Sequence, residues 1–148
     1  MGLAEQLSGY YFDELSVGMS AVFGKTVTEA DIMAFAGVSG DTNPVHLNAE
    51  YAAETPFKSR IAHGVLTASF ISTVIGTKLP GPGCIYVSQN LRFKAPVMIG
   101  DTVMATVEIT ALVPEKRFVE MSTVCTVGDK VVLEGEATVM APKRRSPQ

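Results

Sequence analysis

The stretch that decides the fold runs from residue 60 to residue 80 and reads RIAHGVLTASFISTVIGTKLP. Between Val65 and Ile75, apolar side chains fall on nearly every side of the helix that this segment predicts. A short helix that is apolar most of the way round is usually buried by structure that surrounds it. The remainder of the chain is therefore expected to provide that cover.

Four segments with the character of β-strands follow the predicted helix. They cover residues 84–93, 101–113, 117–127 and 130–140. In the second segment Val103, Ala105 and Val107 occupy alternate positions, which is the period of two expected of a strand with one buried face. Gly128 begins a tight hairpin turn and Pro114 marks another. Strands joined by such short turns predict an antiparallel meander.

The residues before the central helix predict one strand and two helices. Residues 18–27 have the composition of a strand, and the helix that follows is expected to end just before Asp41. Thr28 and Asp31 form an imperfect capping box at the start of that helix. Asn48 is placed to cap a second, short helix, which Pro56 stops.

These elements together predict the fold class. An antiparallel sheet wrapped around a central apolar helix is an α+β arrangement of the hot-dog type, although a ferredoxin-like or cystatin-like fold fits the same elements. The chain has 148 residues, a length that suits one domain. We therefore expect a single hot-dog domain over residues 1–148, with residues 1–15 and 141–148 as loose termini.

The composition excludes several classes of function. A net charge of -3 leaves no basic field to hold nucleic acid by its phosphates. No apolar run approaches the roughly 20 residues that span a membrane, and no signal peptide is recognisable at the start. Cys84 and Cys125 lie far apart and predict buried, reduced thiols. These features predict a cytoplasmic protein, and 47% hydrophobic residues leave room for a subunit interface or an apolar ligand pocket.

The stretch SGDTNPVH, residues 39–46, holds a carboxylate and an imidazole five residues apart. On one continuous helix Asp41 and His46 would point about 140° apart, at roughly 100° per residue, and could not serve one site. Pro44 forces Asn43 out of the helical region, so a turn can aim both side chains at one point. The alternative is structural: Asp41 ends one helix and His46 packs at the start of the next, since motifs this short are common by chance.

A second candidate lies where the central helix begins. Gly64 has no side chain to cover its N–H, which points along the positive end of the helix dipole and can hold a developing oxyanion. A simple packing role for this glycine is the alternative. His63, just before it, is interpreted as structural, because a single histidine ahead of an apolar helix usually is.

Other polar residues carry weaker indications. The candidates for contact with phosphate groups are Lys58, Arg60, Arg92 and Lys94, although such bases more often form a solvated surface. Ser72 lies on the apolar helix without the sharp elbow that a serine nucleophile needs. The sequence contains no G-x-G-x-x-G, P-loop or H-E-x-x-H motif, and no metal site is expected.

Taken in order along the chain, four stretches resemble the MaoC-like dehydratases. They are SGDTNPVH, RIAHGVLTASFIS, LPGPGCIYVSQNLRFKAPVMIGD and EGEATV, and the resemblance runs from about Val17 to Met140. Within that family the chain is most similar to the (R)-specific enoyl-CoA hydratases that feed polyhydroxyalkanoate synthesis. The resemblance implies a hot-dog fold, a homodimer and reversible addition of water to trans-2-enoyl-CoA to give (R)-3-hydroxyacyl-CoA. It implies no cofactor, because CoA is part of the substrate.

The resemblance also implies roles for particular residues. Asp41 and His46 match the family's acid–base pair, Gly64 matches its oxyanion-hole glycine, and Ser72 matches a serine that supports the site. Which of Asp41 and His46 is the base is left open. So are three other functions: a 3-hydroxyacyl-[acyl-carrier-protein] dehydratase, a hot-dog thioesterase and a non-catalytic acyl-CoA binding subunit.

Overall fold

The central helix packs against one face of a six-stranded antiparallel sheet in the computed structural model, which describes residues 2–144. The helices are α1 (Leu3–Leu7), α2 (Glu29–Ser39), α3 (Pro44–Leu47), α4 (Ala49–Ala53) and α5 (Gly64–Thr77), with a 3-10 turn at Phe12–Glu14. The strands are β1 (Ser20–Thr26), β2 (Ile85–Gln89), β3 (Arg92–Phe93), β4 (Thr102–Val113), β5 (Phe118–Val127) and β6 (Lys130–Met140).

Helix α5 is covered on one side only, which corrects the expectation of a fully enclosed helix. Leu66, Phe70 and Ile71 are among its buried residues, and they pack into one core cluster with the inward-facing side chains of the sheet. The opposite stripe of the helix is exposed, and its members are Val65, Ser69, Ser72 and Gly76. A single sheet can cover only one face of a helix, so the stripe is left open in the protomer.

The alternation predicted for the longest strand is confirmed. Val103, Ala105, Val107 and Ile109 of β4 are at most 1% exposed, while the residues between them face outward. The two-residue turn at Gly128-Asp129 joins β5 to β6, with Gly128 at φ 59°. These strands and β1 pair antiparallel in the order β1-β4-β5-β6, so the C-terminal three form the expected meander.

The place predicted for the first strand after the helix was wrong. Instead of leading the meander beside β4, the segment 84–93 pairs with β6 at the far edge of the sheet. It also splits into β2 and β3 at Asn90, which exchanges hydrogen bonds with Glu136 through its backbone N–H and its side-chain oxygen. The connection over residues 94–101 then runs past Ala62, whose N–H donates to the Val97 carbonyl at 2.7 Å, before β4 begins. A connection of that length can cross the structure, whereas a tight hairpin cannot.

Helix α2 begins and ends as its sequence predicts. The Thr28 hydroxyl accepts the Asp31 N–H, and the Asp31 carboxylate accepts the Thr28 N–H, so the capping box is complete. Gly40 ends the helix at φ 79°, a left-handed conformation that glycine adopts without steric cost. The chain leaves α2 at this point with Asp41 next in line.

The terminal segments are tied to the domain, which contradicts the expectation of loose ends within the described residues. The backbone N–H groups of Gly9, Tyr10 and Phe12 donate to carbonyls of Pro82, Pro80 and Pro142. Leu15 is 6% exposed, because the lead-in closes the end of the core. Residues 145–148, the end of the segment predicted to be loose, lie outside the described residues. Within residues 2–144 no helix is both long and apolar enough to cross a membrane.

Candidate active site

The chain between α2 and α4 brings Asp41 and His46 to one place. Asn43 is extended (φ -50°, ψ 127°), and its side chain accepts the Val45 N–H, so it caps α3, with Pro44 at the first helical position. His46 therefore lies in a one-turn helix rather than on the open turn that the sequence predicted. The break at Asn43 lets the two side chains converge, as expected.

His46 is buried and held in one orientation. Its ring is 7% exposed, and Nδ1 lies 2.8 Å from the Ile61 carbonyl oxygen. A carbonyl can only accept, so Nδ1 carries the hydrogen. The neutral ring then keeps its free lone pair on Nε2, the atom available to receive a proton.

Asp41 is exposed, in contrast to His46. Its carboxylate accepts the Asn43 N–H at 3.3 Å, and its own N–H donates to the Ser39 hydroxyl at 3.1 Å. The turn therefore orients the side chain, and one of its oxygens lies within 4.8 Å of ring nitrogens of His46 and His63. An exposed carboxylate beside a buried imidazole can bind one water between them.

His63 belongs to the same cluster, although the sequence interpretation set it aside as structural. It is 1% exposed, and its Nε2–H donates to the Asp41 carbonyl at 2.9 Å. Its ring stacks on His46, with centroids 3.9 Å apart and planes 28° apart. One ligand-type atom from each of Asp41, His46 and His63 lies within 4.8 Å of the others. Its position directly before Gly64 was the available signal that it adjoins the site.

Two histidines and an aspartate could in principle hold a divalent metal. Ring nitrogens bind a metal along lone pairs in the ring plane, however, and the His46 and His63 rings are stacked. In stacked rings those planes run nearly side by side, so the two lone pairs do not converge on one point. Either ring would have to turn and give up its hydrogen bond to a backbone carbonyl. The arrangement fits acid–base chemistry better than metal binding.

Gly64 is the first residue of α5, and the Phe93 ring lies so close to it that a side chain at this position would displace the ring. His63 precedes the helix without a side-chain cap, and the first amides of a helix have no partner within it. A Cβ on Gly64 would lie 2.7 Å from Cε1 of Phe93, closer than side chains normally approach. The Phe93 ring therefore lies against the start of the helix, beside the positive end of its dipole.

A largely apolar cavity of about 510 Å³ opens next to Gly64. Its lining includes Phe57, Ile61, Val65, Phe93 and Lys94. The cavity reaches the proposed oxyanion donor, but neither Asp41 nor His46 lines it. Ile61, whose carbonyl accepts the His46 Nδ1–H, belongs to the lining, so the cavity adjoins the segment that holds His46.

Ser72 is not brought to the acid–base pair. It lies eight residues after Gly64 on α5, about 12 Å along the axis at 1.5 Å per residue. Its side chain belongs to the exposed stripe of the helix. Its supporting role in the site stays a prediction.

Arg60 is not a free cation, which corrects its candidacy for phosphate binding. Its Nε donates to the His46 carbonyl at 2.6 Å, and its two terminal nitrogens donate to the Glu29 carboxylate at 2.8 and 2.9 Å. The bidentate pair links α3 to the first turn of α2 and occupies the guanidinium. The other candidates, Lys58, Arg92 and Lys94, are exposed, and Lys94 pairs with Glu134 at 3.5 Å.

The cysteines take no part in the site. Both are free thiols, and Cys125 is buried. Burial raises the pKa of Cys125 to about 12 and also raises the pKa of Cys84. A thiol in such a setting carries little thiolate at neutral pH, so neither cysteine fits the role of a nucleophile.

The sheet, the helix and the Asp–His pair at the helix N-terminus together define a hot-dog protein of the hydratase and dehydratase class. The chain belongs to the MaoC-like domain family, whose model matches residues 15–135.

Individual relatives are similar over nearly the whole chain. An (R)-specific enoyl-CoA hydratase of Rhodospirillum rubrum is 62% identical, covering 95% of this chain and 98% of its own length. A 3-hydroxybutyryl-CoA dehydratase of Methylorubrum extorquens is 50% identical, with coverage of 94% and 88%. The unliganded structure of an R-hydratase from Pseudomonas aeruginosa superimposes with a TM-score of 0.88 at 43% identity, covering 96% of each chain.

Proposed function

We propose that this chain is an (R)-specific enoyl-CoA hydratase, which adds water reversibly to trans-2-enoyl-CoA to give (R)-3-hydroxyacyl-CoA. The observation that carries the proposal is the convergence of Asp41 and His46 beside the uncapped start of α5. The high identity to hydratases and dehydratases of CoA thioesters supports the same reaction and a hydro-lyase class.

The reaction needs a hydroxyl at Cβ and a proton at Cα. One water binds between the Asp41 carboxylate and Nε2 of His46, and His46 removes its proton as the new C–O bond forms. The π electrons of the double bond move onto the thioester oxygen as an enolate. The Gly64 N–H stabilises that oxygen, a contribution of about 3 kcal/mol for one such donor. The proton on His46 then returns to Cα, which restores the neutral ring.

His46 is assigned as the proton acceptor because its tautomer leaves Nε2 free. The Nδ1–H bond to the Ile61 carbonyl sets that tautomer in the neutral ring and persists when the ring takes up the proton. Asp41 orients the water and balances the positive charge on His46 after the proton transfer. Both groups hydrogen-bond the same water, so they act as a unit rather than as two separate catalysts.

The cavity beside Gly64 suits the arm that links the thioester to CoA. With the thioester oxygen at Gly64 and Cβ at the acid–base pair, the sulfur side of the substrate can enter the cavity that Gly64 lines. Lys94 at the cavity, with Arg92 and Lys58 nearby on the surface, is placed to meet phosphate groups.

The proposal also covers the oligomeric state of the protein and its location in the cell. A homodimer would cover the open edge of the sheet at β2, where Ile85, Tyr86 and Val87 are 59%, 40% and 48% exposed. Both cysteines are free thiols, Cys125 buried and Cys84 partly buried, and this suits a cytoplasmic location. A role in polyhydroxyalkanoate synthesis follows only from the family resemblance and stays a prediction.

Mixing the protein with crotonyl-CoA tests the function directly. We expect rapid loss of the ultraviolet absorbance of the enoyl thioester, and a product that an R-specific 3-hydroxyacyl-CoA dehydrogenase oxidises. Oxidation by the S-specific enzyme would contradict the stereochemistry. Faster hydration of crotonyl-acyl-carrier-protein would favour the carrier-protein dehydratase, release of free CoA a thioesterase, and binding without turnover a non-catalytic subunit.

A further inference from the structure

His63 contacts both members of the acid–base pair without facing the substrate. Its Nε2 lies 2.9 Å from the backbone carbonyl of Asp41, and its ring stacks against His46 at a centroid distance of 3.9 Å. The two contacts come from different parts of one side chain, which is 1% exposed. Asp41 and His46 lie on separate segments of the chain, so a group that touches both can fix their relative positions.

The hydrogen bond sets the tautomer of His63. The Asp41 carbonyl can only accept, so Nε2 carries the hydrogen, and the neutral ring has its lone pair on Nδ1. Nδ1 is buried and has no hydrogen-bond partner among residues 2–144. A buried nitrogen without a hydrogen-bond partner lowers the stability of the fold. It is tolerated when the rest of the ring makes an interaction that an apolar side chain cannot make, here the hydrogen bond from Nε2.

The stacking explains why the ring itself is retained. Phe35 contacts the other side of His63, at 4.8 Å between ring centroids. The Phe35 ring is tilted by 59° to the His63 ring, so the three rings form a contiguous aromatic cluster that begins on α2 and ends at His46. The His46 ring therefore has a flat support on one face and the Ile61 hydrogen bond at its edge.

We infer that His63 is a positioning residue of the hydration site, which holds the Asp41 turn through its Nε2–H and supports the His46 ring by stacking. It transfers no proton to the substrate. The inference rests on the proposed hydratase function. Without the His63 side chain, the Asp41 carboxylate and Nε2 of His46 lose the shared geometry that binds one water. Small displacements of reacting groups lower the rate strongly.

Substitutions at His63 separate the two contacts. His63→Ala removes both, His63→Gln keeps a side-chain N–H that can reach the Asp41 carbonyl, and His63→Phe keeps an aromatic face for His46. We expect His63→Ala to lower kcat for crotonyl-CoA hydration by up to about 100-fold, with KM close to that of the wild type. His63→Gln and His63→Phe should each recover part of that loss.

A stability control distinguishes positioning from simple destabilisation. Val107→Ala removes buried methyl groups from β4, where the side chain is 0% exposed and away from the site. It should lower the melting temperature and leave kcat of the folded protein unchanged. In the wild-type protein, nitrogen-15 NMR should find hydrogen on Nδ1 of His46 and on Nε2 of His63.

The outcomes are distinct. Suppose that the wild type is active and that the kcat of His63→Ala is unchanged, or lowered no more than the kcat of Val107→Ala. This result overturns the inference and leaves the proposed function intact. Detection of the hydrogen on Nδ1 of the His63 ring by NMR would also overturn the inference and leave the proposed function intact. If His63→Ala does not fold, the other two variants decide. The inference is overturned if neither His63→Gln nor His63→Phe has a kcat that differs from that of Val107→Ala. A wild type that does not hydrate crotonyl-CoA contradicts the proposed function and this inference together.

Discussion

At the scale of single residues, Asp41 and His46 differ in burial, and substitutions should affect them differently. Asp41→Asn keeps the oxygen that accepts the Asn43 N–H but removes the charge, so we expect turnover to fall by about 10²–10⁴-fold with little change in melting temperature. His46→Gln should lower turnover similarly and also destabilise the fold, by about 1–3 kcal/mol, because a buried ring loses its partners.

The double variant tests whether the two groups act on one water. If they do, Asp41→Asn combined with His46→Gln should be scarcely slower than the worse single variant, because effects within one catalytic unit do not add. Crotonyl-CoA hydration and thermal denaturation of all three proteins give the comparison. Near-normal turnover in a folded Asp41→Asn protein would contradict the proposed mechanism.

Gly64 offers a test of the oxyanion donor that leaves the helix in place. Proline is favoured at the first position of a helix, and the preceding His63 has φ -60° and ψ 134°, a conformation that proline accepts. Gly64→Pro therefore removes the N–H and keeps the helix start. Gly64→Ala is the matched control, because it places the same Cβ against Phe93 but retains the N–H.

We expect kcat for Gly64→Pro to lie about 10²–10³-fold below that of Gly64→Ala. Phe93 is 56% exposed and can move aside in both variants, so their difference reports the N–H. Steady-state kinetics with crotonyl-CoA measures it. Equal kcat values would show that the Gly64 N–H does not stabilise the enolate.

At the scale of elements, the start of α2 is tied to β1 through Asp31. The Asp31 carboxylate accepts the Thr28 N–H at 2.9 Å and lies 2.8 Å from the Lys25 ammonium. The hydrogen bond from Lys25, followed by that from the Thr28 backbone, lowers the pKa of Asp31 below its ordinary value. A depressed carboxyl pKa stabilises the fold above the pKa of the unfolded chain, and that stability is lost as the pH falls through the folded-state pKa.

Asp31→Asn keeps an oxygen that can accept the Thr28 N–H but loses the charge that pairs with Lys25, so it should lower the free energy of unfolding at pH 7 by about 0.2–1 kcal/mol, the usual effect of an exposed ion pair. The difference from wild type should shrink as the pH falls below about 4, where the wild-type carboxylate also becomes protonated. Urea denaturation at several pH values measures it. Asp129→Asn, in the exposed β5–β6 turn, controls for the loss of charge, and a pH-independent difference at Asp31 would contradict the linkage.

At the scale of the whole molecule, the sheet has two edges that differ in character. β1 ends one side, and β2 ends the other with three consecutive exposed apolar residues. A long apolar edge is a template for pairing with a second chain. We expect a homodimer at micromolar concentration, with the two sheets joined through β2.

A charge placed on the β2 edge of the sheet should separate the subunits. Val87→Lys on β2 should shift the protein toward the monomer in sedimentation velocity, because pairing would bury the new ammonium. Val22→Lys on β1, where the side chain is 43% exposed, is the matched control and should stay dimeric. A wild type that sediments only as a monomer, or a dimer lost in Val22→Lys instead, would contradict the β2 interface.

Local chemistry in the sequence accounts for much of this structure. The Thr28 and Asp31 pair, the break at Asn43-Pro44 and the Gly128 turn each act over a few residues, so each could be predicted without knowing the fold. The alternation along β4 likewise identifies its buried face. Asp41, His46 and Gly64 could be named as candidates from their residue types and neighbours, but a structural reading stayed open until the resemblance to the MaoC-like dehydratases implied their roles.

Only the tertiary structure decided the contacts between distant parts of the chain. His63 meets the Asp41 carbonyl across 22 residues, and Arg60 meets Glu29 across 31, and neither pairing leaves a periodic pattern to read. The sequence likewise determined that 84–93 is extended, but not that it pairs with β6. Turns and caps depend on neighbouring residues, whereas strand partners and buried side-chain clusters depend on how the whole chain packs around α5.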